Sequence, residues 1–195
     1  RYSVTVVEVF NPTSAGSVRM SAARRVMPVH AVLLFNLVLD GIAAWLDDPF
    51  CLRLWPEPSG PTKPQRIHQA DLPMHLVTPI MDEVLTHFGP GLMMAGFCRA
   101  VWDSPMLSRM VPGQQHGMHV DVRRADCLTR VHVPLRTNHQ SLMRFEGRDS
   151  YELGVGEAWT FNTTLRHAFE NLGETERVHL IFEVLADRHS AMEGS

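Results

Sequence analysis

A chain of 195 residues with 45% hydrophobic content is long enough to bury one sizeable core and reads as a single domain over 1–195. Its net charge of −3 argues against partners held by a general basic surface, so neither nucleic acid nor an anionic membrane is expected. Cys51, Cys98 and Cys127 are odd in number, scattered and without a CxxC pair, which predicts reduced thiols in a cytoplasmic protein instead of a disulfide framework or zinc knuckle.

Residues 2–10, "YSVTVVEVF", alternate and are β-branched, so they predict a strand that "NPTSAGS" ends. The most apolar run, residues 31–46, is broken by Asn36 and Asp40. It is too short to span a bilayer comfortably and lies too far in for a signal peptide, so it reads as a buried helix stopped by "DDPF". Residues 55–65 hold four prolines and predict loop, an exposed linker or alternatively a lid. Residues 74–89 place apolar positions at helical spacing around Pro79, with Gly89 before Pro90 as the expected end.

From about residue 92 the texture changes to short strands with turns between them. Candidate strands are "GLMMAGFCRAVW", the segment after Pro112-Gly113 that carries His119 and Asp121, "LTRVHVPL", "LMRFEG", "EAWTFN", "RHAFEN" and "RVHLIFEVL". Strands at this spacing predict a β-sandwich or barrel. The fold class expected is α+β, mainly β: a jelly-roll core, with strands over about 92–186 and the N-terminal helices packed on one sheet.

The stretch "HGMHVDVRRADCLTRVHVPL", residues 116–135, puts dense charge on strands that look half buried. On a strand, residues i and i+2 share a face. His119 therefore projects with Asp121, and Arg130 with His132. Later strands add His167 and the pair Arg177 and His179. Buried unpaired charges are costly, and a divalent cation with an anionic ligand would remove that cost. Two histidines and a carboxylate match the facial triad of non-haem Fe(II) oxygenases. An Arg ten positions beyond the distal His suits the far carboxylate of 2-oxoglutarate, because a guanidinium binds a carboxylate through two parallel hydrogen bonds.

"HVDVRRADCLTRVHVPL" and "GEAWTFNTTLRHAFENLGETERVHLIFEVL" resemble the aspartyl/asparaginyl β-hydroxylase family of Fe(II)/2-oxoglutarate dioxygenases, over about residues 105–186. The resemblance implies a double-stranded β-helix and, as metal ligands, His119, Asp121 and His167. It implies 2-oxoglutarate binding by Arg177, with Arg130 and His132 as further contacts. Asp121 stands where some members have Gly, so the chain resembles the bacterial-type branch with a full triad. Glu183 stands where the family often has Asp. The activity implied uses Fe(II), 2-oxoglutarate and O₂ to hydroxylate an aliphatic carbon of an amino acid, a peptidyl residue or a small natural-product intermediate.

Arg123 and Arg124 follow the metal strand and are candidates to reach an acidic group of the substrate. His116, out of phase with the triad, is expected in a loop. His179 is expected to support the site from behind or fill the core. Trp159 and Phe161 are expected in the core, and Asn162 and Asn171 to brace turns. The alternative reading is a non-redox cupin-like metalloprotein, an isomerase or a small-molecule binding module, which would use the same ligands but has no need for Arg177.

Overall fold

The computed structural model describes residues 5–8, 29–57, 60–94, 100–121, 127–161 and 165–186. Two sheets form the β core. The first has six strands, in spatial order β1 (Thr5–Glu8), β8 (Glu157–Thr160), β5 (Cys127–Arg136), β10 (Arg177–Ala186), β3 (Ala100–Met110) and β2 (Gln65–His68). The second has four, in order β4 (Gln115–His119), β9 (His167–Asn171), β6 (Ser141–Phe145) and β7 (Ser150–Glu152). All pairings are antiparallel except β1 with β8. This is the expected double-stranded β-helix, with the chain passing between sheets.

Helices α1 (Val29–Leu46) and α3 (Met74–Met94) pack on each other and on β5 and β3, the central part of the six-stranded sheet. The alternation of β10 explains how one strand serves two environments. Val178, Leu180, Phe182 and Val184 join a core with Ile42, Leu46, Val77, Ile80 and Val84 of the helices. The intervening Arg177, His179, Ile181 and Glu183 project to the opposite face, inside the barrel. Strand β5 repeats the pattern, with Val131, Val133 and Leu135 toward the helices and Arg130 and His132 away from them. Both faces of these strands are buried, but only one is apolar. A second core of Met143, Phe145, Leu153 and Phe161, with Trp159 and Phe169 against it, fills the barrel beside the four-stranded sheet.

Three elements differ from expectation. "DDPF" ends α1 but also starts α2 (Pro49–Leu54): the Asp48 side chain accepts from Phe50 N and Pro49 opens the first turn. Helix α3 runs five residues past Gly89. Pro90 removes one backbone hydrogen bond but its fixed φ remains helical, so the Gly-Pro pair interrupts the ladder without ending the helix. The strand expected from residue 91 is therefore helix at first; residues 95–99 lie outside those described, and β3 begins at Ala100. Within β3, Pro105 has no N–H for the ladder and sits in a bulge, where Ser104 takes a φ of 51° and the register against β10 shifts between Ile181 and Glu183.

The proline-rich segment gives way to β2, and its described residues are held in place against β4. Gln114 Nε2 donates to Lys63 O at 2.6 Å, Gln115 N to Pro61 O at 3.3 Å, and His116 Nδ1 to Thr62 O at 2.8 Å. Asn171, fully buried, donates to Met110 O and Thr175 O, bracing the turn before β10 as expected. Asn162 lies outside the described residues, as do Arg123 and Arg124. Cys51 is a free, buried thiol. Among the described residues, no helix is long and apolar enough to cross a membrane.

Candidate metal centre

His119 and His167 are cross-strand partners on β4 and β9, with ring centroids 4.4 Å apart. Each ring is oriented by the same device. His119 Nδ1 lies 2.8 Å from Gly117 O, and His167 Nδ1 lies 2.8 Å from Leu165 O. A carbonyl only accepts, so Nδ1 carries the proton in both rings and each Nε2 offers a lone pair. Burial lowers the His167 pKa below the ordinary 6.5, which keeps that ring neutral and able to ligate. Phe145, Phe161 and Phe169 surround it, with centroids within 6.1 Å.

Strand β4 ends at His119, so Asp121 stands two residues beyond it and not on the strand as expected. It still reaches the site: its Oδ1 is 3.5 Å from His119 Nε2. One ligand atom from each of His119, Asp121 and His167 lies within 4.8 Å of the others. Two imidazoles and one carboxylate, with open space on one side, suit a non-haem Fe(II) centre.

The cleft beside this group is lined by His116, His119, Asp121, Arg130, His132 and Arg177, with Arg66, Met106, Ser108 and Phe169 among the rest. Arg177 is 2% exposed and its guanidinium lies 5.0 Å over the Phe169 ring. Its Nη2 donates to His179 Nδ1 at 2.7 Å, which leaves the His179 proton on Nε2. Among the described residues no carboxylate pairs with Arg177, and burial lowers its pKa from the ordinary arginine range to about 9. His179 Nε2 and His132 Nδ1 are buried without a hydrogen-bond partner. Burial, with Arg177 nearby, holds both imidazoles well below 6.5 and therefore neutral. A buried cation without an anion, beside two unsatisfied imidazole nitrogens, fits an anionic ligand with further acceptors.

Arg130 is engaged differently. Its Nη1 pairs with Asp121 Oδ2 and its Nη2 with Glu183 Oε1, while its Nε is buried and unbonded. His116, expected in a loop, lies on β4 with its ring 4.4 Å from His119. The cause is a register shift between His116 and His119 against β9, which brings residues three apart to one face. Met106 and Ser108 come from β3, the neighbour of β10, where Ser108 stands opposite His179. No motif marks these two residues in the sequence.

The barrel and its metal-ligand group define an oxygenase-type centre, and the sequence comparisons agree. The family profile described as Aspartyl/Asparaginyl beta-hydroxylase matches residues 79–187. The chain belongs to that family of Fe(II)/2-oxoglutarate-dependent oxygenases. No curated protein matches it in sequence. Among solved structures it is similar to a viral collagen prolyl hydroxylase from Paramecium bursaria Chlorella virus-1 bound to 2-oxoglutarate, at TM-score 0.58 and 12% identity over 78% of this chain and 91% of that one. It is also similar to a Pseudomonas putida prolyl-4-hydroxylase, at TM-score 0.57 and 16% identity over 78% and 88%. A Trichoplax adhaerens prolyl hydroxylase in complex with a hypoxia inducible factor peptide follows at 0.51 and 8% over 85% and 83%. At these identities the likeness is one of fold.

Proposed function

We propose that the protein hydroxylates an aliphatic carbon of an amino acid, a peptidyl residue or a small natural-product intermediate, with 2-oxoglutarate converted to succinate and CO₂ as O₂ is consumed. His119, Asp121 and His167 hold Fe(II), which with 2-oxoglutarate and O₂ supplies the oxidising chemistry. Arg177 binds the far carboxylate of 2-oxoglutarate. His132 lies along the same wall, and Arg130 offers the cosubstrate its unbonded Nε. The aromatic rings around His167 keep water away from the reacting side. Arg123 and Arg124 are the nearest chain neighbours of Asp121 with charge to offer an acidic substrate group.

The observation that carries this reading is Arg177: a buried guanidinium with no carboxylate partner among the described residues, in the cleft that opens on the two-histidine, one-carboxylate group. A non-redox module on the same barrel has no use for it. The test is a substrate screen that reads succinate, run with Fe(II) and 2-oxoglutarate. Slow succinate formation without substrate and fast formation with the right one is expected. Failure of 2-oxoglutarate to bind the metal-loaded protein would overturn the proposal.

A further inference from the structure

Glu183 lies in the barrel interior, 9% exposed, and is the cross-strand partner of Arg130 on β5. Its Oε1 accepts from Arg130 Nη2 at 2.7 Å, while Arg130 Nη1 pairs with Asp121 Oδ2. The other Asp121 oxygen, Oδ1, is turned to His119 Nε2. Three charged groups thus form a chain from the six-stranded sheet to the end of β4, and its last member is the carboxylate of the metal-ligand group.

We propose that Glu183 is a positioning residue for the metal centre, acting through Arg130 on Asp121. The inference rests on the ligand assignment proposed above. Its physical basis is competition for one carboxylate. A guanidinium with Asp121 as its sole anion would draw on the same negative charge that a divalent cation needs. With Glu183 on its other edge, Arg130 is already neutralised, and Asp121 keeps its charge for the cation. The fork also fixes which oxygen faces the imidazoles, because Oδ2 is taken. Asp121 stands beyond the last residue of β4, so the ladder itself does not hold it. Arg130 supplies that restraint across the gap between the sheets.

An ion pair that merely braces the barrel mouth would share this geometry but not its coupling to Asp121. The experiment is therefore a double-mutant cycle on the full chain: unmutated protein, Glu183→Gln, Asp121→Ala and the double variant. Ni(II) binding is read by calorimetry, since Ni(II) ranks above Fe(II) in affinity and keeps a two-imidazole site measurable. Glu183→Gln is expected to weaken Ni(II) binding by about tenfold or more when Asp121 is present, the range typical of groups that orient a ligand. In the Asp121→Ala background the same change is expected to alter affinity by less than about threefold. Equal losses in both backgrounds, or no loss in either, would overturn the proposal. If Asp121→Ala alone leaves Ni(II) affinity unchanged, the ligand assignment fails and the proposal falls with it. Should Glu183→Gln not fold, Glu183→Asp enters the same cycle. It keeps the charge on a shorter reach, and a smaller loss, still confined to the Asp121 background, is expected.

Discussion

Replacing Arg177 by Met should weaken 2-oxoglutarate binding without weakening the ligand-free fold. Met keeps an unbranched stem and removes the charge. Arg177 is 2% exposed, and burial alone lowers its pKa from the ordinary arginine range to about 9. That shift corresponds to about 5 kcal/mol of lost hydration. The unfolded chain holds this proton more tightly, so the ligand-free fold bears the cost at every pH below about 9 and sheds it only as pH rises further. Pairing with a carboxylate returns part of it: losing a buried charged partner typically costs about 2–5 kcal/mol, or roughly 30- to 4,000-fold in affinity. Calorimetric titration of 2-oxoglutarate into the Mn(II)-loaded variant should show a loss in that range, with metal affinity little changed. Arg177→Lys should recover only a fraction, since an ammonium cannot make the parallel pair of bonds. Thermal unfolding of the ligand-free Met variant should occur at or above the temperature of the unmutated protein. Unchanged 2-oxoglutarate affinity would refute the anchor assignment. A clear drop in ligand-free stability would show that its contacts with His179 and Phe169 outweigh the cost of its burial.

Three further outcomes are expected. His119→Ala and His167→Ala should each fold yet lose about 100-fold or more in Mn(II) affinity, because each removes a whole ligand and not merely its support; unaltered titrations would displace the ligand assignment. His132 and His179 are held neutral, with pKa values well below 6.5, so the unfolded chain takes up more protons as pH falls. The ligand-free protein should lose stability below about pH 6.5, by up to about 1.4 kcal/mol per pH unit for each ring, and equal urea midpoints at pH 7.5 and 5.5 would contradict this. On the proposed assignment Asp121 is the third ligand and repels an incoming anion, so turnover in high bromide should give only hydroxylated product by mass spectrometry, and a halogenated product would sink the assignment.

What the sequence reveals of this site depends on whether a side chain's direction follows from its own strand. His167, Arg177 and His179 keep the alternation of their own strands, which sorts inward from outward residues, even though β10 shifts register against β5 between Val178 and His179, and the structure places them as the pattern predicts. His116 does not follow alternation because a register shift reverses its direction relative to His119. Nothing local marks that shift. Met106 and Ser108 enter the cleft because β3 lies beside β10, a pairing between residues about 70 apart in the chain. Glu183 reads in sequence as a conservative replacement on a closing strand. Its contact with Arg130 exists only through the β5–β10 register. The helix that passes Gly89-Pro90 shows the opposite limit, a strong local stop signal that fails because the fixed φ of proline is itself helical.

The two sheets divide the chemistry between them, and the division accounts for the dense charge in 116–135. The four-stranded sheet brings the imidazoles His119 and His167, with Asp121 just beyond its edge. The six-stranded sheet brings Arg130, Arg177 and Glu183 from β5 and β10. Within the chain, Arg130 and Glu183 balance one another, while Asp121 and Arg177 remain as an anion and a cation at separate places in the cleft. They do not pair with each other. A divalent metal alone would answer Asp121 and leave Arg177 buried without a counter-charge. A dicarboxylate alone would answer Arg177 and add its second negative charge beside Asp121. Together the two cancel: metal against Asp121 and the near carboxylate, Arg177 against the far one. On the proposed ligand assignment, the buried charges that look misplaced on half-buried strands are balanced when both ligands are bound.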